Sequence, residues 1–369
     1  MSYPPSATAE LLQRLTVLRI GLVFSVLLHH ARPPGAPPPD TAAALALQQL
    51  LAEGLTGVRM PLLFLAAGWL LCRGGPANRS TWLLRGQRRL HSLLLPLLTW
   101  SLLAGGLMAL LRQGPLGATL FHGGWPGWVP ADGPLPLLDH LLGFSGPPWI
   151  YPLWFLRDLL LLCLAAPLLQ ALDRRAPWAL WGLVLPVLAW RWWQGSEDPR
   201  PVSVDGAFFF ALGVAGGLRG AGARLLAWAD RAGPWLLAPV LALALWRAQQ
   251  PGGHFVTAWD RPWALAAMLL LLWLAGRQGG RAGWQRASRA AAPWAFWLFL
   301  THEPLLSACR LGVRLLGVHA PLTSGLVAVL ACSALSLLAG AGLARRWPAA
   351  LRLLSGGRLP RVQGAAAPG

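Results

Sequence analysis

A chain of 369 residues that is 55% hydrophobic and only 12% charged cannot be covered with polar surface as a soluble domain, so it is read as a polytopic membrane protein. Every one of its 31 basic residues is arginine, and the net charge of +18, which in a soluble protein would suggest nucleic acid, is read here as membrane topology. The expected partner is the lipid bilayer, and no nucleic acid is expected.

Hydrophobic runs bounded by Gly, Pro and Arg clusters predict about ten transmembrane helices, over residues 11–31, 58–73, 91–111, 152–171, 177–193, 207–218, 233–248, 263–276, 292–316 and 321–344. The fold class is therefore all-α, a polytopic membrane helix bundle. Twenty arginines fall in the even-numbered connections and the two ends, against nine in the odd-numbered ones, which predicts both termini cytoplasmic. The four cysteines, Cys72, Cys163, Cys309 and Cys332, lie in apolar runs without CxxC or zinc-like spacing, so packing is expected of them and no metal.

The first span, LTVLRIGLVFSVLLHH, carries Arg19 near its start and His29 and His30 at its end. It runs into ARPPGAPPPD without a small-residue cleavage site, and is expected to be retained. Eleven residues are about three helical turns, so Arg19 and His30 share a face about 16 Å apart along the axis, while His29 points about 80° away. Ionisable groups in such a segment are costly unless they face a protein interior or a cavity, which makes them functional candidates. The alternative is that Arg19 snorkels to one interface and His30 sits at the other.

Three further places put charge in or beside apolar runs. In WLLRGQRRLHS, Arg85, Arg88 and Arg89 crowd the entry to the third span, either to bind phosphates or to obey the positive-inside rule. In PLWFLRDLLLL, Arg157 and Asp158 lie within the fourth span, as a functional pair or a structural ion pair. In FWLFLTHEPLL, His302 and Glu303 precede Pro304 near the middle of the ninth span, where proline bends the helix and frees carbonyls that a polar cavity must satisfy. Between the third and fourth spans, the stretch from Gln113 to Tyr151 is rich in Gly, Pro and Trp. It contains His122, Asp132, Asp139 and His140, to which no role is assigned. Residues 345–369 read as a basic cytoplasmic tail, flexible, following a membrane domain of residues 1–344.

Taken in order, LRIGLVFSVLLHH, VRMPLLFLAAGWLL, RGQRR, PLWFLRDLLLL, FFFALGV and FWLFLTHEPLL resemble the membrane acyltransferase-3 family, integral-membrane O-acyltransferases that modify bacterial glycans. The resemblance covers roughly Arg14 to Ala344. VRMPLLFLAAGW is similar to the branch that succinylates periplasmic glucans, with Ala67-Gly68 where the family usually has Ser-Gly.

The resemblance implies an acyltransferase acting on groups other than aminoacyl groups, in the bacterial inner membrane. It would move an acetyl or succinyl group from cytoplasmic acyl-CoA, a substrate rather than a resident cofactor, to a hydroxyl of an envelope glycan or glycolipid. It also implies roles for residues. His30 would act as base or acyl relay, and Arg19 would orient the donor or stabilise the thioester oxygen. Arg85, Arg88 and Arg89 would seat the CoA phosphates, and Arg157, His302 and Glu303 would orient or bind the acceptor. A site between the first, fourth and ninth spans is expected. The alternative is a transporter or flippase of a polysaccharide precursor, which should show two similar halves; none is found.

Overall fold

The computed structural model describes residues 6–31, 41–54, 57–113, 133–145, 148–194, 202–249, 260–279 and 281–358. Its regular elements are helical throughout. The first, α1 (Ala7–His30), starts where the Ser6 hydroxyl accepts the Ala9 amide at 3.3 Å, and its apolar length then runs unbroken to the histidine pair. A short α2 (Ala42–Gln49) leads to α3 (Arg59–Cys72). Asn78 caps α4 (Arg79–Arg89), a π-helical turn over Leu90–Leu94 follows, and α5 (Leu95–Gln113) completes that pass.

Beyond it lie α6 (Pro134–Leu142), α7 (Trp154–Arg175), α8 (Leu185–Gln194) and α9 (Val204–Leu218). The chain then forms α10 (Gly222–Ala248), α11 (Asp260–Gly279), α12 (Ala282–Leu315), α13 (Pro321–Arg346) and α14 (Pro348–Leu354).

Each of the ten expected spans falls on a helical stretch, but their fitness to cross a membrane differs. Four helical stretches are long and apolar enough: Ala7–His30, Arg79–Leu107, Tyr151–Arg175 and Pro321–Arg346. A fifth would count Val204–Leu218 and Gly222–Trp246 together, a pair bent by 115°. The others are short, as α3 is, or carry charge along the run, as α12 does.

At the centre, α1 packs against α12, α11, α10 and α3. Buried Arg14 anchors it there: the guanidinium binds both Asp230 oxygens at 2.6 and 2.8 Å, donates to the Leu272 carbonyl at 3.2 Å and pairs with Glu10. The closest contact between helices is α3 on α9. A Cβ on Gly68 would lie 2.2 Å from the Phe210 carbonyl oxygen, and one on Gly213 would lie 2.2 Å from that of Leu65, so backbone touches backbone only because both residues are glycine.

The stretch between the third and fourth spans contains a described helix. Its α6 packs on α5, where Ser101 donates to the Leu141 carbonyl, and the His140 ring stacks on Trp149. His122 and Asp132 lie outside the described residues. The basic end is not a flexible tail up to residue 358. Trp100 Nε1–H donates to the Leu354 carbonyl at 3.0 Å, and Arg358 lies 4.2 Å over the Phe296 ring, because apolar Leu351 and the aromatic neighbours bury the segment. The tail beyond residue 358 lies outside the described residues.

Candidate active site

At its far end α1 delivers His30 to a small polar cluster. His30 Nδ1 lies 3.9 Å from a Glu303 oxygen, and the side chains are 20% and 16% exposed in an otherwise apolar setting. The His302 ring, wholly buried, is centred 5.5 Å from that of His30, and Tyr151, just before α7, is 6.2 Å away on another side. His29 is turned aside, its Nδ1–H donating to the Ala52 carbonyl at 3.0 Å.

Hydrogen bonding assigns the tautomer of His302. A carbonyl only accepts, so the 2.6 Å contact to Phe299 places the proton on His302 Nδ1. His302 Nε2 therefore presents a lone pair, and it has no hydrogen-bond partner among the described residues.

Arg310 braces the cluster from two turns farther along α12. It donates to the His30 carbonyl at 2.8 Å and to Ser307 at 2.7 Å, and lies 3.7 Å from the second Glu303 oxygen. It was counted from the sequence only among flanking arginines. Its spacing of seven from Glu303, which returns to the same helix face, was the available signal. The donor atoms of His30, His302 and Glu303 lie within 4.8 Å of one another, a spacing a cation could use. Arg310 already supplies the positive charge beside Glu303, which disfavours one there.

The other end of α1 opens on two joined clefts. The first, about 760 Å³, is lined by Arg73, Arg85, Arg88, Arg89, His91 and Arg358 among others. Arg85, Arg88 and Arg89 share one face of α4 by their spacing of three and four, and Gln170 pins the loop before that helix through paired bonds with the Ala77 amide and carbonyl, each 2.7 Å. The second cleft, about 620 Å³, shares Leu70, Arg89 and Arg358 with the first. It runs inward past Arg19, between the apolar face of α3 (Leu62, Leu63, Ala66, Ala67) and Phe296, as far as Phe155 and Phe299.

The Phe155 and Phe299 rings meet at 5.6 Å, and the Phe299 ring is also centred 5.6 Å from that of His302. Phe299 thus both lines the channel and packs beside the histidine cluster. Arg19 and His30 are placed in series along α1 rather than side by side, about 16 Å apart.

The structure brings together His30, His302 and Glu303, and sets Arg19, Arg85, Arg88 and Arg89 along the clefts. Arg157 is engaged elsewhere. It donates to Asp158 at 2.8 Å and to the Gly143 carbonyl, and Asp158 accepts the Ser203 amide at 2.9 Å, so this buried pair ties α7 to two connections.

Comparison with known proteins follows the same division of the chain. The model of the acyltransferase-3 family, described as an acyltransferase domain, matches residues 12–345. The succinoglycan biosynthesis protein ExoH of Rhizobium meliloti (strain 1021) is 29% identical over 317 residues, which are 81% of this chain and 79% of that protein. No solved structure matches. A match that runs from within α1 to within α13, and so takes in the histidine cluster and the cleft lining apart from Gly356, Gly357 and Arg358, makes this membrane protein an acyltransferase belonging to the acyltransferase-3 family.

Proposed function

We propose that the protein transfers an acyl group, acetyl or succinyl, from cytoplasmic acyl-CoA to a hydroxyl of a cell-envelope glycan or glycolipid, across the bacterial inner membrane. The observation that carries this reading is the continuity of an arginine-lined cleft with a largely apolar channel whose lining residue Phe299 packs beside His302. A CoA thioester has that pattern: a phosphate-rich nucleotide at one end, and at the other a long, thin arm carrying the reactive carbon. Arginine forks suit the phosphates. An arm passing Arg19 is guided by it, and the separation of Arg19 from His30 favours orientation of the donor over contact with the reacting oxygen. The relative named for succinoglycan biosynthesis supports a polysaccharide acceptor, and the excess of arginine at the cleft end supports its placement in the cytoplasm.

The chemistry then falls to the cluster. With Nδ1–H directed to Glu303, His30 Nε2 removes the proton of the acceptor hydroxyl. The oxygen adds to the thioester carbon, the carbon–sulfur bond breaks, and the sulfur leaves with the proton returned by His30. The products are an ester and free CoA. Glu303 offsets the imidazolium charge, Arg310 holds both groups in place, and the His302 Nε2 lone pair is available to orient the incoming hydroxyl. The family match favours this enzyme reading over transport.

The test uses inverted membrane vesicles supplied with acetyl-CoA or succinyl-CoA and a glycan acceptor, with free CoA followed by a thiol reagent. Release should be lost in His30→Ala, by at least about a hundredfold, and kept in His29→Ala. An active His30→Ala protein, or wild type that consumes neither donor, overturns the reading.

A further inference from the structure

Arg358 lies outside every apolar span, yet the fold carries it into the donor cleft. After α14 the chain turns through Gly356 and Gly357, at φ +60° and +79°, a left-handed conformation that side chains disfavour. At Gly356 a Cβ would lie 2.9 Å from the backbone of both His91 and Ser92, so this turn sits directly on the π-helical turn that joins α4 to α5. The Leu354 carbonyl is held by Trp100, and the Ser355 hydroxyl is turned back onto the Leu351 carbonyl at 2.6 Å.

The guanidinium is the outcome of this packing. It lies 4.2 Å over the Phe296 ring and 3.4 Å from the Ser92 hydroxyl, and Arg358 is one of three residues that line both clefts. The other two are Leu70 and Arg89, so at the junction the positive charge comes from Arg89 on α4 and Arg358 after α14. Burial, with Arg89 and Arg19 nearby, brings Arg358 down to about 10, which leaves it a cation at neutral pH. No carboxylate is recorded within ion-pair distance of it among the described residues. A turn with two glycines in left-handed backbone, closed by tryptophan and serine bonds, places a half-buried cation on the lining of both clefts.

We infer that Arg358 is a donor-binding residue that grips the pyrophosphate of acyl-CoA at the junction of the two clefts, so that the C-terminal turn completes the donor site. The inference rests on the acyl-CoA reading above and adds one residue and one chemical group to it. The pyrophosphate is the group concerned because it joins the nucleotide to the arm, and Arg358 joins the nucleotide cleft to the arm channel. Phe296 holds the guanidinium by a cation–π contact, and a guanidinium fork suits two-point contact with phosphate oxygens.

Full-length protein in inverted vesicles tests this with a donor series: acyl-CoA, acyl-dephospho-CoA, which keeps the pyrophosphate, and acyl-pantetheine, which has no phosphate. Arg358→Gln should raise KM for the first two donors about tenfold or more, with kcat little changed. Its KM for acyl-pantetheine should equal that of wild type. Arg358→Lys should recover only part of the loss, and Arg352→Gln, an exposed change on the same segment, should behave as wild type. A KM for acyl-CoA unchanged in Arg358→Gln overturns the inference and leaves the acyl-CoA reading standing. A penalty equal for all three donors, or one confined to kcat, shows a structural role and also overturns it. Wild type that turns over no acyl-CoA removes both.

Discussion

The carboxylate of Glu303 is shared between two cations of different kinds. Arg310 faces one oxygen, whereas His30 faces the other and, in the mechanism proposed above, becomes a cation while it carries the acceptor's proton. A glutamine at this position keeps the shape and one acceptor oxygen but cannot balance the imidazolium. We therefore expect Glu303→Gln to lower kcat by roughly a hundredfold or more while donor KM stays near wild type, since Glu303 is not among the residues lining either cleft. Steady-state CoA release against donor concentration measures both quantities. A variant that loses donor affinity and keeps kcat would place Glu303 in donor binding instead. Residues of this cluster were legible in the sequence because a histidine, a carboxylate and a proline together are costly inside an apolar run. Arg310 was not, because an arginine near a span end looks the same whether it snorkels or turns inward. Arg157 was read as open between chemistry and an ion pair, and its contacts to Asp158 and Gly143 were hidden because they depend on a connection distant in sequence.

Between elements, the site depends on how closely α3 and α9 approach. The inward face of α3 forms the channel wall, and its opposite face is pressed onto α9 through Gly68 and Gly213. A methyl group at Gly213 meets a backbone oxygen, which cannot swing away as a flexible side chain could, so the helices must separate. Gly213→Ala should cost about 1–3 kcal/mol and lower the thermal midpoint of the detergent-solubilised protein. Gly21→Ala, where a Cβ meets nothing within 4 Å, serves as the control for an added methyl on a helix. Equal melting of the two variants would show that the α3–α9 contact is not tight. The apolar periodicity that located these helices says which stretches are helical. It does not say which glycines mark a crossing, because a glycine at an interface and one facing lipid read alike. The basic end failed as a flexible tail for a related reason: its packing rests on Trp100 and Phe296, which are distant in sequence.

Across the whole molecule, the mechanism proposed above is a relay from the arginine end to the histidine cluster. Charge collects at one end and the histidine cluster at the other, and the apolar channel between them has no carboxylate among its lining residues. The donor's nucleotide can then stay at the arginine end while only its arm enters, which keeps the acceptor's side free of the nucleotide's charge. If that is how the ends communicate, filling the channel must separate binding from turnover. Ala66, on the wall formed by α3, can be enlarged without touching either charged site. Ala66→Phe should reduce acyl-CoA turnover at least about tenfold by obstructing the arm. It should leave binding of adenosine 3′,5′-bisphosphate to the purified protein unchanged, because that probe has no arm. Loss of both would mean that the substitution disturbs the fold, a case that its thermal midpoint identifies. Full turnover with the channel filled would mean that the acyl group reaches His30 by another route, and the two clefts would then be joined in space but not in function.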